Sequence, residues 1–162
     1  MKHQLNSFKV AFKGIWYAIK NESHMRFHLV AGFYVIIFSL FFGLSKAQWG
    51  VVLMLIASIL TAEILNTAIE EVCNLNTDSF DPIVRIAKDV AAGAVLVLSV
   101  AAVSVAFIFY LDIERITAVA TQVFTTPWLL ILFIVSIIIS LVFIVMGPMG
   151  LSKIYHRFKV KK

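Results

Sequence analysis

The 162-residue chain has a single cysteine, Cys73, so no intrachain disulfide can form. Charge is also scarce. Asp, Glu, Lys and Arg make up 14% of the residues, where a soluble domain carries about 25%. No Gly-x-x-x-x-Gly-Lys and no Gly-x-Gly-x-x-Gly run occurs, which excludes a P-loop or a Rossmann turn as a nucleotide site. There is no internal repeat and no low-complexity tract. The first 25 residues lack an apolar h-region, so no cleavable signal peptide is expected. No basic or aromatic recognition surface stands apart from the hydrophobic runs, and nucleic acid is not an expected partner.

What is abundant is hydrocarbon. Hydrophobic residues make up 61% of the chain, and the mean hydropathy is +0.96. That composition belongs to an integral membrane protein. Four apolar runs, Phe27–Leu44, Trp49–Val72, Val90–Leu111 and Pro127–Met146, are each long enough to cross a bilayer core. Ahead of them, Leu5, Phe8, Phe12, Ile15, Trp16 and Ile19 follow helical spacing, while Lys9, Lys13 and Lys20 take another face. This predicts an amphipathic helix lying on the membrane surface, with Asn6 or Ser7 as its N-cap. A plain anchor is the simplest role for it. The expected fold is all-α: a surface helix and a small bundle of four transmembrane helices.

The loops orient the bundle. With the N-terminus inside, segments 1–26, 73–89 and 147–162 hold five, two and five Lys/Arg, and the outer loops 45–48 and 112–126 hold one each. The positive-inside rule then places both termini in the cytoplasm. Trp49 and Trp128 fall at outer ends of spans, where interfacial aromatics sit. The basic clusters at both ends suit anionic lipid headgroups. The small residues Ala91–Ala94 in the third span suit close packing against the second. Gly147, Pro148 and Gly150 are expected to break the fourth helix.

Against this background, Glu63, Asn66, Thr67 and Glu70 share one face of the second span. An ionisable group at membrane depth costs roughly 2.5–3.5 kcal/mol on insertion scales, so it needs a reason. Helix association by a buried polar pair is one; a functional site is the other. Topology brings further polar groups to the same inner level: Glu22, Glu71, Asp78, Asp81, Lys88 and Asp89. Two carboxylates at a water–lipid boundary can hold Mg²⁺ together with substrate phosphates. A lysine beside them binds phosphate as a point charge. A deeper carboxylate can take a proton from a hydroxyl. The parts fit phosphoryl transfer to a lipid alcohol. Simpler readings stand beside these: Glu71 as a solvated helix end, Asp78 and Asp81 as turn residues, Lys88 as a headgroup anchor, Cys73 as an inert thiol, and the histidines as surface groups.

Three blocks carry a family resemblance: Asn21-Glu22 with Arg26 and His28, then AEILNTAIEEV at 62–72, then IAKDVAAGAVL at 86–96. In this order and spacing they resemble the prokaryotic diacylglycerol kinases, whose Gram-positive-type members are undecaprenol kinases. The resemblance covers roughly residues 5–111. It implies an ATP- and Mg²⁺-dependent lipid kinase acting on undecaprenol or diacylglycerol, assembled as a homotrimer. It implies Glu63 as general base with Asn66 beside it, and Glu22 and Glu70 as metal ligands. Lys88 and Asp89 match nucleotide contacts, and Ser79, Phe80 and Asp81 lie in the loop near the nucleotide. Arg26 and Thr67 are the expected lipid contacts. Asn74 stands where the family usually has aspartate. Residues 1–111 are thus expected to form a kinase-like membrane domain, and 112–162 an added transmembrane helix with a basic cytoplasmic tail. A cation carrier with Glu63 and Glu70 as the ion path, and a catalytically idle assembly protein, are the alternatives.

Overall fold

The computed structural model describes residues 2–75 and 81–160. They form six helices and no strand: α1 (Lys2–Asn21), α2 (Ser23–Phe42), α3 (Lys46–Leu75), α4 (Pro82–Tyr110), α5 (Ile113–Thr125) and α6 (Pro127–Val160). Helices α2, α3 and α4, and the Pro127–Pro148 part of α6, are long and apolar enough to cross a membrane. The protein is therefore a multi-pass membrane protein.

The helix ends follow from local chemistry. Gly43 closes α2 in the left-handed conformation at φ 73°, which costs glycine nothing. Ser45 and Gln48 cap the start of α3 reciprocally: the Ser45 N–H donates to Gln48 Oε1 (2.9 Å) and the Gln48 N–H to Ser45 Oγ (3.3 Å). Asp81 accepts from the Ile83 N–H at 2.8 Å, with Pro82 in the first turn of α4. The expected turn role of Asp81 is thus an N-cap. Asp112 does the same for α5, accepting from the Arg115 N–H at 3.1 Å.

Two expectations are corrected. Helix α1 starts at Lys2, so neither Asn6 nor Ser7 caps it. Segment 112–126 is not an open loop, because Ile113–Thr125 is helical. Its apolar residues Ile113, Ile116, Val119 and Val123 recur at helical spacing, a short pattern between two long runs. The expected break in the fourth helix is present and falls at Gly147. Gly147 adopts φ 59°, ψ 178°, and the helix resumes beyond it to Val160.

Helix α4 packs most extensively on α3, with Ala91 and Val95 as its buried residues. A close small-residue approach lies between α2 and α3, where a Cβ on Gly32 would sit 3.1 Å from Ile56 Cγ2. Helix α6 packs on α2, α5 and α1. In α1, Leu5, Phe8, Phe12 and Trp16 are exposed, leaving an apolar stripe for a membrane surface.

Arg26 joins the chain's two ends. It is only 6% exposed. Its Nε donates to the Ile144 carbonyl at 3.0 Å, and its Nη1 to the Ile19 and Lys20 carbonyls at 3.1 and 3.2 Å. The last carbonyls of α1 and a carbonyl beside the Gly147 break otherwise lack helical partners. One planar guanidinium satisfies both.

Candidate functional site

The polar groups form a ladder along α3. Glu63, Thr67, Glu70 and Asn74 succeed one another at three- or four-residue steps, and Glu63 to Glu70 spans about 10 Å. Each of three rungs meets another element.

At the deepest rung, Glu63 is 3% exposed, and its Oε1 lies 3.2 Å from His28 Nε2 on α2. Thr67 returns its hydroxyl to the Glu63 carbonyl at 2.9 Å. This satisfies the threonine locally.

At the middle rung, Asn66 Nδ2 donates to Glu70 Oε1 at 2.9 Å. A carboxylate only accepts, so this bond fixes the amide and turns Asn66 Oδ1 away from Glu70. That oxygen is buried and has no partner among the described residues. Glu22, at the α1–α2 junction, lies within electrostatic reach of both Glu70 and Glu71. Partial burial, then the Glu70 charge, hold its carboxyl above the ordinary value. His24 and Arg26 act in the opposite direction. Glu71, expected as a solvated helix end, accepts from the Tyr17 hydroxyl at 2.8 Å and ties α1 to α3.

At the outermost rung, Lys88 on α4 donates to Asn74 Oδ1 at 2.7 Å. Asp89 is exposed, 3.9 Å from Arg85 one turn away. Asp81 caps α4. Asp78, Ser79 and Phe80 lie outside the described residues. Arg26, through Nε and Nη1, and Thr67, through its hydroxyl, donate to backbone carbonyls.

The donor set suits a hard cation. Glu22, the N-cap residue of α2, and Glu70 on α3 lie within electrostatic reach of each other. Among the described residues no group of three or more Asp, Glu, His or Cys could enclose a metal. Two carboxylates without a cage match an ion that keeps water and takes phosphate oxygens as its other ligands, as Mg²⁺ does.

His28, expected at the surface, is instead half-buried against Glu63. A signal for it existed. Glu22, the N-cap of α2, and His28 within it are six residues apart, and Glu70 and Glu63 are seven apart on the antiparallel α3. Facing Glu22 with Glu70 therefore puts His28 beside Glu63. Tyr17 carried no such signal, because its partner lies 54 residues away.

The model of the prokaryotic diacylglycerol kinase family matches residues 9–110. The undecaprenol kinase of Bacillus subtilis (strain 168) is 35% identical over 114 residues, covering 68% of this chain and 93% of that protein. A diacylglycerol kinase of Synechocystis sp. is 36% identical over 102 residues, 62% of this chain and 58% of that protein. No solved structure matches the chain. Helices α5 and α6 lie beyond the matched family region. The chain belongs to the prokaryotic diacylglycerol kinase family and is a membrane lipid kinase.

Proposed function

We propose that the protein transfers the γ-phosphoryl group of ATP to the primary hydroxyl of a membrane lipid alcohol, undecaprenol or diacylglycerol. The observation that carries this reading is the ladder itself. A buried carboxylate and an unpartnered amide oxygen lie just beneath a pair of carboxylates at the membrane boundary.

In this reading the lipid hydroxyl enters between Glu63 and Asn66. Asn66 Oδ1 is an acceptor in need of a donor, and an alcohol O–H supplies one. Glu63 accepts the hydroxyl proton as its oxygen attacks the γ-phosphorus, and the bond from that phosphorus to the bridging oxygen of ADP breaks. His28 fixes the Glu63 carboxylate. Thr67 stays a helix-face residue at the lipid, and Arg26 acts on the lipid site by holding the α1–α2 junction. Glu22 and Glu70 hold the Mg²⁺, which neutralises phosphate charge when bound. Lys88 meets the phosphates as a point charge. Asp89, and the loop with Ser79, Phe80 and Asp81, contact the nucleotide.

The orientation follows the basic residues, with both termini cytoplasmic at the inner membrane, so ATP reaches the mouth of the site. The lysines of the two ends meet anionic headgroups. A homotrimer is the proposed assembly, and residues 1–111 are the catalytic part. The B. subtilis relative supports undecaprenol as acceptor, and the Synechocystis relative diacylglycerol.

The test is purified protein in micelles with ATP, Mg²⁺ and each lipid alcohol in turn. Phosphorylated lipid is the expected product. Folded protein that phosphorylates neither would sink the reading.

A further inference from the structure

The family-like core explains the site, and leaves α5 and α6 without a role. Those helices build something. A groove of about 1240 Å³ lies between the outer half of α2, the C-terminal end of α4, α5 and the first half of α6. Phe38, Phe41, Phe107, Val119, Val123 and Trp128 are among its walls. A second cavity, of about 310 Å³, runs among α2, α3 and α4. It begins at Phe27 and His28, beside Glu63, and shares Val35, Val103, Ala106 and Tyr110 with the groove. Sharing that wall, the two together extend along α2 from His28 toward Phe41, a track away from the reacting end of the site.

The chemistry of the walls says what belongs there. The hydroxyls that line the groove already have partners. Tyr34 donates to Ser136 Oγ at 3.0 Å, and Ser136 donates to the Phe133 carbonyl at 2.8 Å. Tyr110 and Ser39 bond each other. What remains is hydrocarbon, a surface for an alkyl or prenyl chain rather than a headgroup.

Length decides which chain. His28 to Phe41 along α2 is about 20 Å. The hydrocarbon core is roughly 30 Å thick, and the two leaflets divide it. A track that starts inside the inner boundary and runs about 20 Å further crosses the midplane. The acyl chains of a diacylglycerol belong to one leaflet and end there. A polyprenol of undecaprenol length continues.

We infer that the groove walled by α5 and α6 receives the far end of the acceptor's chain, so that this kinase selects a polyprenol longer than one leaflet. The inference rests on the proposed lipid-kinase reading, with the acceptor hydroxyl at Glu63. It gives the two helices beyond the family region a specificity role.

The experiment uses the full chain in micelles with ATP and Mg²⁺, and three acceptors: undecaprenol, a short prenol that ends before the midplane, and diacylglycerol. Val119→Trp and Val123→Trp fill the groove from α5, far from the reacting groups. The wild type is expected to favour undecaprenol by kcat/KM. Each variant is expected to lose about tenfold or more of that preference, as a few buried methylenes would supply, with short-prenol turnover unchanged. An unchanged preference overturns the inference. So does a wild type that favours diacylglycerol, or a variant that alters only the oligomeric state, which would make the groove a subunit interface.

A binding readout separates this inference from the kinase reading. Trp128 lines the groove, and Trp16→Phe/Trp49→Phe leaves it as the sole tryptophan. Undecaprenol is expected to shield its fluorescence from quenching by brominated phospholipid, and the short prenol is not. No shielding overturns the groove assignment whatever the activity. Shielding with no turnover of any acceptor would support the groove and sink the kinase reading.

Discussion

His28 Nε2 lies 3.2 Å from Glu63 Oε1, joining α2 to α3 at the deepest carboxylate of α3. The contact orients a carboxylate that is 3% exposed, and a buried carboxylate is costly unless something holds it. In the proposed mechanism Glu63 meets the hydroxyl, and His28 keeps it aimed.

Glu63→Gln is expected to lower kcat by about 10²- to 10⁴-fold, the usual worth of a general base. The amide still reaches His28, so the fold is retained. His28→Ala is expected to cost about tenfold in kcat with the KM for ATP unchanged. Steady-state kinetics, with thermal unfolding as the control, check both. Equal loss in the two variants would make His28 part of the proton path.

Lys88 donates to Asn74 at 2.7 Å, and asparagine holds the ammonium without neutralising it. Asn74→Asp would restore the residue usual in the family and add a competing anion. An exposed ion pair is worth about 0.2–1 kcal/mol, so the KM for ATP is expected to rise by up to about fivefold with little change in kcat. An ATP titration at saturating lipid measures it, and a fall in KM would count against a phosphate role for Lys88.

Gly147 sits at φ 59°, ψ 178°, a region essentially confined to glycine. A Cβ there would lie 3.2 Å from Arg26 Cζ and Nη1. Gly147→Ala is expected to destabilise by about 1–3 kcal/mol. Gly14 offers the opposite case, since a Cβ there meets nothing within 4 Å inside helix α1. Gly14→Ala is expected to stabilise by about 0.5–1 kcal/mol. Denaturant unfolding in micelles should give the two signs.

Tyr17 donates to Glu71, and that bond raises its pKa above the ordinary tyrosine value, with minor help from desolvation and from the Glu71 and Glu22 charges. The native state therefore holds the phenol proton more tightly than the unfolded chain does. Its contribution is complete below about pH 10 and is lost as pH rises through the higher native value. Wild type should be slightly more stable than Tyr17→Phe at neutral pH, with the gap closing above pH 10. A gap that widens with pH would reject the bond. Thermal unfolding of both proteins across that range gives the comparison.

Much of this was written locally. The runs that became α2, α3, α4 and the membrane part of α6 needed only length and hydropathy, because a bilayer demands both of any spanning helix. The shared face of Glu63, Asn66, Thr67 and Glu70 needed only helical periodicity. Helix α5 was legible too, as four apolar residues at helical spacing, but thirteen residues between two long runs looked like a connection.

Other features had no local signature. Arg26 reads in the sequence as one more interfacial cation. Only folding brings Ile144 to it across 118 residues and turns its fork onto carbonyls left open by a helix end and a helix break. His28 became the partner of Glu63 because α2 and α3 run antiparallel and approach closely at Gly32. The groove exists because α6 returns against α2 with α5 beside it. Composition and periodicity determine which residues enter the membrane and which helix face is polar, since both are set within a few turns of chain. Which groups meet on that face depends on how the helices pack, and that was decided by the tertiary structure alone.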